Sequence, residues 1–481
     1  MASWSFVYLL CLLCTRTATV TSSNPWKQPK VDYEKATFES KVMITNTTHE
    51  SSINTQNTQD CPAPAVCSCG IFNNVIDCSG RGLTSVPAFS KSDSLWDLYL
   101  KDNHIHSLRD DDFHNIQIQL LDMSNNSLTS VSDNAFRGLE SVLNSLYLES
   151  NRLTNIPETL TNLKNLTSLT IQQNPISNFD ENVMTSLSST INTFHFGSEE
   201  MVIWPPSVQL LNLFELGIFS LPLEILPETA FANLSLSWLT LNNMKLKRLP
   251  SSFKGLENLY YLSLNTDEDL TLDGVPRSLF ESIKGLNSLQ IINSKFTALP
   301  DIFHYTTGLF QIELNSVPIN DFPAEMLPEE SNITIADFKH TLFNEVPSAI
   351  SKMKKLSVLS LNYNNITTIQ SGDLSGLSKL EYVSISNTPL HNISLDAFKT
   401  LTSLQYLALD NTALTSIPRA VEEVTFDILS LFGNKLICTC QSMGWMKNWS
   451  GASRIGINGH CNNLGNMEVW QYVRQNVPKC P

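Results

Sequence analysis

Eight cysteines carry the most reactive side chains of this chain once its apolar N-terminal run is set aside, and they fall in two clusters. Cys61, Cys67, Cys69 and Cys78 stand at the front and Cys438, Cys440, Cys461 and Cys480 at the back, with none between Cys78 and Cys438. Thiols so spaced form disulfides in an oxidising compartment or bind zinc as thiolates. Zinc is the weaker account, because the thiolates would have to stay reduced outside the cell and the spacing lacks a second close ligand pair. His104 and His106 flank Ile105 in a turn and read as solvent-facing imidazoles rather than metal ligands. The acidic stretch 266–273 (TDEDLTLD) lacks the alternating ligands and glycine of a calcium loop and reads as a solvated insertion. Nucleophile elbow, Walker loop and HExxH are all absent from the sequence. No catalytic residue, cofactor or metal is therefore expected.

Charge and targeting signals narrow the class further. The chain of 481 residues has a net charge of −15 and no Lys/Arg cluster, which argues against a phosphate-backbone binder. Residues 5–14 (SFVYLLCLLC) form an apolar run followed by small and polar residues, read as a secretory signal over 1–22. No other apolar run approaches membrane-spanning length. Eight Asn-x-Ser/Thr sequons, at Asn46, Asn125, Asn165, Asn233, Asn332, Asn365, Asn392 and Asn448, fit a secreted glycoprotein. Residues 23–60 are rich in Asn, Thr, Ser, Gln and Lys without sustained periodicity; they read as a flexible leader, with a pro-segment or docking arm as the other reading.

Between the cysteine clusters one phrase, L-x-x-L-x-L-x-x-N-x-L, recurs roughly every 23 residues. Leu95-x-x-Leu98-x-Leu100-x-x-Asn103 and Leu356-x-x-Leu359-x-Leu361-x-x-Asn364 are two copies. Fifteen starts are placed at Leu95, Ile118, Leu143, Leu166, Ile191, Leu213, Leu236, Leu259, Leu286, Leu309, Ile333, Leu356, Leu380, Leu404 and Phe426. Positions four and six point inward from a short strand, following the two-residue strand period. Asn at position nine (Asn103, Asn126, Asn151, Asn174, Asn364, Asn434) can bond backbone groups of adjacent turns. Repeats five to eleven lose it, and that middle stretch is expected to be less regular. Phe136, Phe231 and Phe398 are expected to fill the space under the convex side.

The front segment CPAPAVCSCGIFNNVIDCSGRGLTSVP and the back segment GNKLICTCQSMGWMKNW resemble the terminal cysteine-rich caps of extracellular leucine-rich repeat proteins. The Asn-rich CNNLGN departs from the proline this family usually places there. The resemblance implies an α/β-type solenoid: a horseshoe of about fifteen repeats with a curved parallel β-sheet on the concave face and short helical segments outside. It implies a cap at 61–94, repeats over 95–437 and a second cap at 438–481. By analogy with these caps, pairing is first-to-third and second-to-fourth in each cluster: Cys61 with Cys69, Cys67 with Cys78, Cys438 with Cys461, Cys440 with Cys480.

Positions three, five and seven of each strand would face the concave surface, which spans roughly 70 Å if fifteen strands lie about 4.8 Å apart. Ile335, Val358, Tyr382, Tyr406 and Ile428 make five consecutive apolar residues in column three, beside small residues in column five. Phe219, Trp238 and Tyr261 read as a second patch. Both are candidate binding patches for an extracellular protein ligand or a glycan; bland packing against neighbouring strands is the competing account. None of the sequons falls in these columns, and charge there leans acidic, which suits a basic partner slightly, although the solvated surface of an acidic protein is the better account of it. The sequence-level conclusion is a secreted, non-enzymatic recognition or adhesion protein of the extracellular space, with matrix as one setting. The alternative is a non-catalytic accessory or carrier subunit of a secreted enzyme or hormone complex.

Overall fold

The computed structural model describes residues 61–481 except 71–73, 252, 266–269, 272–273, 450, 452–453 and 466. The expected signal, the leader, Asn46 and most of the acidic stretch 266–273 lie outside the described residues.

Within each repeat the alternation of the leucine phrase makes the strand. In the third, Leu146 and Leu148 are fully buried while Ser145 and Tyr147 remain partly exposed. Such a strand can bury its inner face only against the next repeat, so identical phrases align in parallel. Eighteen strands among the described residues join one sheet. Its register keeps repeat positions opposite one another, as in Tyr382↔Tyr406 and Tyr406↔Ile428. The return path uses short segments: a helix over Glu181–Leu187, another over Arg277–Ser282, and 3-10 turns such as Ser348–Lys352 and Arg419–Glu423. Phenylalanines pack beneath it: Phe136 lies 6.2 Å from Phe113 and Phe231 5.2 Å from Phe253, centroid to centroid, and Phe398 is buried as well. No helix among the described residues is long and apolar enough to cross a membrane.

The first repeat departs from its expected frame. Leu95 is 37% exposed, whereas Trp96 is 2% exposed and pairs with Ile118. A register shift between Trp96 and Asp97 brings Asp97 opposite Leu120, so Trp96 occupies the inward place assigned to Leu95. The indole buries more apolar surface than leucine, and the irregularity accommodates the extra residue.

Position nine behaves as a ladder. Asn151 Oδ1 accepts from the Leu128 amide at 2.9 Å, while Nδ2 donates to Met123 O at 3.0 Å and Leu148 O at 3.1 Å. Asn126, Asn174, Asn364 and Asn434 repeat this pattern one turn apart or further along. Against expectation, the described strands of the middle repeats are as regular as the rest. In repeats six to eleven the strands run to position seven, as in Glu215–Phe219, Trp238–Asn242 and Gln311–Asn315, pairing over five residues. Where Asn stands at nine, the strand stops at position five, as in Ser145–Tyr147, Ser168–Thr170 and Val358–Ser360. The asparagine amide takes the carbonyls of positions six and seven of its own repeat, and in the two later repeats with threonine at nine, whose strands also stop at position five, the Thr388 and Thr412 hydroxyls donate to the position-six carbonyls of Ile385 and Leu409. Leu221, Met244 and Val317 make no such bond and are simply buried.

Both ends are closed by disulfides. Cys61–Cys69 and Cys67–Cys78 tie the front, Cys438–Cys461 and Cys440–Cys480 the back. In the front cap Ser68–Gly70 runs antiparallel to Val75–Asp77, which then starts the parallel ladder by pairing with Leu95–Tyr99. At the back Gly456–Asn458 adds a last strand beside Ile428–Ser430, and the helix Val469–Gln475 packs on it.

Candidate recognition face

The strands set their odd positions on the concave face in straight columns. Column three ends in Ile335, Val358, Tyr382, Tyr406 and Ile428, opposite one another in register and each partly exposed. The rings of Tyr382 and Tyr406 stack at 5.2 Å with 8° between planes. Beside them Ser360, Ser384, Ala408 and Ser430 are buried and small, making a low floor under a raised aromatic and aliphatic edge. On the far side of that floor, Ser384 Oγ and the Ser386 amide both donate to Asn362 Oδ1 at 2.7 Å, and Ser430 Oγ and the Phe432 amide both donate to Asp410 Oδ1 at 2.7 Å. Burial pushes the Asp410 carboxyl above its ordinary range, against the pull of these two donors.

The middle residues divide. Trp238 and Tyr261 stack at 4.5 Å, and Tyr261 is 7% exposed with its hydroxyl donating to Gln290 Oε1 at 2.9 Å. Phe219 is not with them. It sits at position seven, opposite Asn242, and its ring neighbours His195 at 5.7 Å. Gly217 leaves room for those two rings, since a Cβ there would meet His195 Cδ2 and Phe219 Cε2 at 2.7 Å each.

A polar row runs along the same face, and it escaped the column-three reading. Gln290 Nε2 donates to Glu313 Oε2 at 2.8 Å, and Lys339 Nζ lies 2.6 Å from Asp337 Oδ2. Burial, then the nearby Asp337 charge, pushes the Glu313 carboxyl up. In the N-terminal half, Gln172 Nε2 donates to Glu149 Oε2 at 2.7 Å and His195 Nε2 meets Glu215 Oε1 at 3.0 Å. Glu149 is likewise raised by burial first, while Tyr147 is raised by burial and then by Asp122 and Glu149. Gln290–Glu313, Glu149–Gln172 and His195–Glu215 each join neighbouring repeats, so only aligning columns three, five and seven across repeats would have shown them.

Position eight, just past the strand, was also missed. Twelve repeats place a non-glycine residue there in the left-handed region, among them Asp102, Asn125, Asn243, His340, Tyr363 and Asn411. Each amide bonds the next repeat's position-seven carbonyl, as Asn243 does to Asn265 at 2.7 Å. The signal was the run of Asp, Asn and Ser, which tolerate this conformation. His340 and Tyr363 stack at 4.1 Å in that row.

The sequons lie off the columns. Asn125, Asn165, Asn233, Asn365, Asn392 and Asn448 are exposed, while Asn332 is half-buried with Nδ2 donating to Thr307 O at 2.9 Å. Asn125 stands closest to the face, at position eight, with Nδ2 donating to Asp102 Oδ1 at 2.6 Å.

The family model described as leucine rich repeat matches residues 93–153 and 346–390. That described as BspA type leucine rich repeat region (6 copies) matches residues 224–346. The chain is a leucine-rich repeat solenoid. The two models divide this solenoid much as its own bonding does: the first covers repeats bearing Asn103, Asn126, Asn151 and Asn364, the second covers repeats that lack the asparagine. Leucine-rich repeat-containing protein 3 of Danio rerio is 33% identical over 98 residues, 20% of this chain and 36% of that relative, so the match spans about a third of the relative's length. Among solved structures, a leucine-rich repeat protein of Leptospira interrogans shares 21% identity at a TM-score of 0.57, covering 79% of this chain and 94% of that one. A chain of the mouse RP105/MD-1 complex shares 18% identity at a TM-score of 0.54, covering 81% and 80%. At such identities the likeness is one of fold.

Proposed function

We propose that this protein is a secreted, glycosylated recognition protein that binds an extracellular protein ligand through its concave face, without catalysis of its own. The observation that carries the reading is the strip from Ile335 to Ile428. Its stacked, partly exposed Tyr382 and Tyr406 rise beside a floor of buried small residues. Rigid aromatic anchors are what a protein partner uses as energetic centres. The polar rim is already built, in the Asn362 and Asp410 bonds. Four disulfides fit an oxidising compartment. Exposed sequons away from the columns would leave this face open when glycosylated. The mouse RP105/MD-1 complex contains a chain of this fold assembled with a second protein, which is the kind of use proposed here.

The test is a crosslinked pulldown from native extracellular fluid with wild type and with Tyr382→Ala/Tyr406→Ala. The double variant should lose about 2 kcal/mol or more of affinity for the captured partner, roughly 30-fold, with its thermal unfolding unchanged. Undiminished capture by the folded double variant rejects the strip. Stoichiometric recovery of an enzyme that survives purification without crosslinking would instead support the accessory-subunit role.

A further inference from the structure

We infer that the concave floor of repeats two to six receives a cationic side chain of a protein partner, an arginine guanidinium in preference to a lysine ammonium. This deepens the concave-face reading by naming the chemistry of a second contact, away from the tyrosine strip. Asp122, Tyr147, Thr170 and His195 stand opposite one another on four consecutive strands. Glu149 and Gln172 lie two residues further along their strands, joined by their own bond.

Two independent observations support this inference. The first is orphaned polar atoms. Thr170 is 4% exposed and its hydroxyl makes no hydrogen bond, although it stands close enough to the Glu149 carboxyl to pull that group down against burial. Gln172 Oε1 is buried and likewise unpartnered. Buried polar groups left unmade cost about 1–3 kcal/mol each, and such gaps in a folded chain call for an explanation. The second is charge. Among the described residues no Lys or Arg pairs with Asp122 or Glu149, and the Asp122 carboxylate raises both Glu149 and Tyr147. His195 is engaged with Glu215.

What would satisfy the floor is a donor-rich cation. Asp122, whose Oδ1 also accepts from the Ser124 amide and hydroxyl, Glu149 and Gln172 Oε1 all accept, and they are spread across adjacent repeats rather than converging as metal ligands must; among the described residues no His/Cys/Asp/Glu group has a metal-binding arrangement. A guanidinium carries five donors in a planar fork that can reach several acceptors at once, and its face can lie on the Tyr147 ring. An ammonium would serve the charge but fewer acceptors.

The experiment uses the full secreted chain and fluorescein-labelled nona-arginine and nona-lysine peptides, with anisotropy read at 150 mM NaCl. Wild type should bind nona-arginine several-fold tighter than nona-lysine. Glu149→Gln should weaken nona-arginine binding at least tenfold, and Glu281→Gln/Glu330→Gln, exposed and outside this floor, should change it less than twofold. Glu215→Gln is the second variant, from another repeat, should Glu149→Gln not be secreted. Absence of binding, equal weakening by the control pair, or unchanged binding by folded Glu149→Gln overturns the inference. Tyr382→Ala/Tyr406→Ala should bind the peptides like wild type, so failure of the tyrosine strip and failure of this floor are read separately.

Discussion

Replacing Asn151 or Asn174 by leucine tests the ladder, because the two positions differ in what each leaves behind. Asn151 serves one amide, Leu128 N–H, and three carbonyls, Met123 O, Leu148 O and Glu149 O. Each carbonyl keeps another donor: Asn126 Nδ2 reaches Met123 O at 3.1 Å, Asn174 Nδ2 reaches Leu148 O at 2.9 Å and the Asn125 amide reaches Glu149 O at 2.9 Å. Asn151→Leu therefore orphans one buried donor, at about 1–3 kcal/mol, and removes further bonds worth about 1 kcal/mol each. A buried leucine returns part of this, leaving a net loss of about 2–3 kcal/mol. Asn174 stands at the end of its run, since position nine of the next repeat is Glu199. Its Nδ2 bond to Ile171 O, at 3.0 Å, is backed by no second asparagine, and its Oδ1 serves Leu153 N–H at 3.0 Å. Asn174→Leu should cost about 1 kcal/mol more than Asn151→Leu. Urea unfolding gives the difference, and hydrogen exchange localises it to the Leu128 and Leu153 amides. Two variants losing under about 1 kcal/mol, or Asn151→Leu proving the worse, would refute the ladder account.

Three further outcomes are expected. By loop-closure entropy, Cys440→Ser/Cys480→Ser, opening a separation of 40 residues, should cost about 4 kcal/mol, and Cys61→Ser/Cys69→Ser, with a separation of 8, about 2.5 kcal/mol; calorimetry under non-reducing conditions compares them. Glu149, Glu313 and Asp410 are raised in the folded chain, so the native state holds their protons to higher pH than the unfolded chain does. Their ionisation then subtracts stability as pH rises through the raised values, and acidification toward the ordinary glutamate value of 4.5 restores it. Glu313→Gln should accordingly raise the thermal midpoint at pH 7 and flatten its pH dependence above that value; an unchanged slope counts against burial as the cause. Gly217→Ala should displace the His195 and Phe219 rings, and a crystal structure of the variant retaining the 3.0 Å His195–Glu215 contact would contradict the assigned crowding.

Much of the architecture was legible because a solenoid writes its packing into one short period. Leucine at positions four and six needs only the neighbouring copy to bury it, so the phrase that recurs from Leu95 to Phe426 implies the parallel sheet. Trp96 shows where the phrase misleads: Leu95, Leu98 and Leu100 fit it, but a larger apolar side chain one residue on takes the inward place. The middle repeats show a subtler failure. Loss of asparagine suggests loss of order, yet in repeats six to eleven, where no asparagine takes the carbonyls of positions six and seven, the strand runs two residues further; with Thr388 or Thr412 in its place the strand is as short as beside asparagine. On the candidate face, Trp238 and Tyr261 could be aligned by eye, whereas Phe219 was grouped with them across a difference of four positions. The Glu149–Gln172 contact within column seven and the His195–Glu215 contact between columns five and three required matching repeats some twenty residues apart.

The antiparallel turn of the front cap has a consequence for how these molecules behave in crowded solution. A parallel sheet grown by stacking has no intrinsic reason to stop, and a bare terminal strand would template another copy. Here the chain reverses direction at Ser68–Gly70, so the outermost strand offers backbone groups in the wrong polarity to extend the parallel array. A disulfide holds that reversal to the strand beneath, Cys67 to Cys78. Reduction of this bond would free the reversed strand to peel away, and fibrous self-association from that end is the hazard the cap removes.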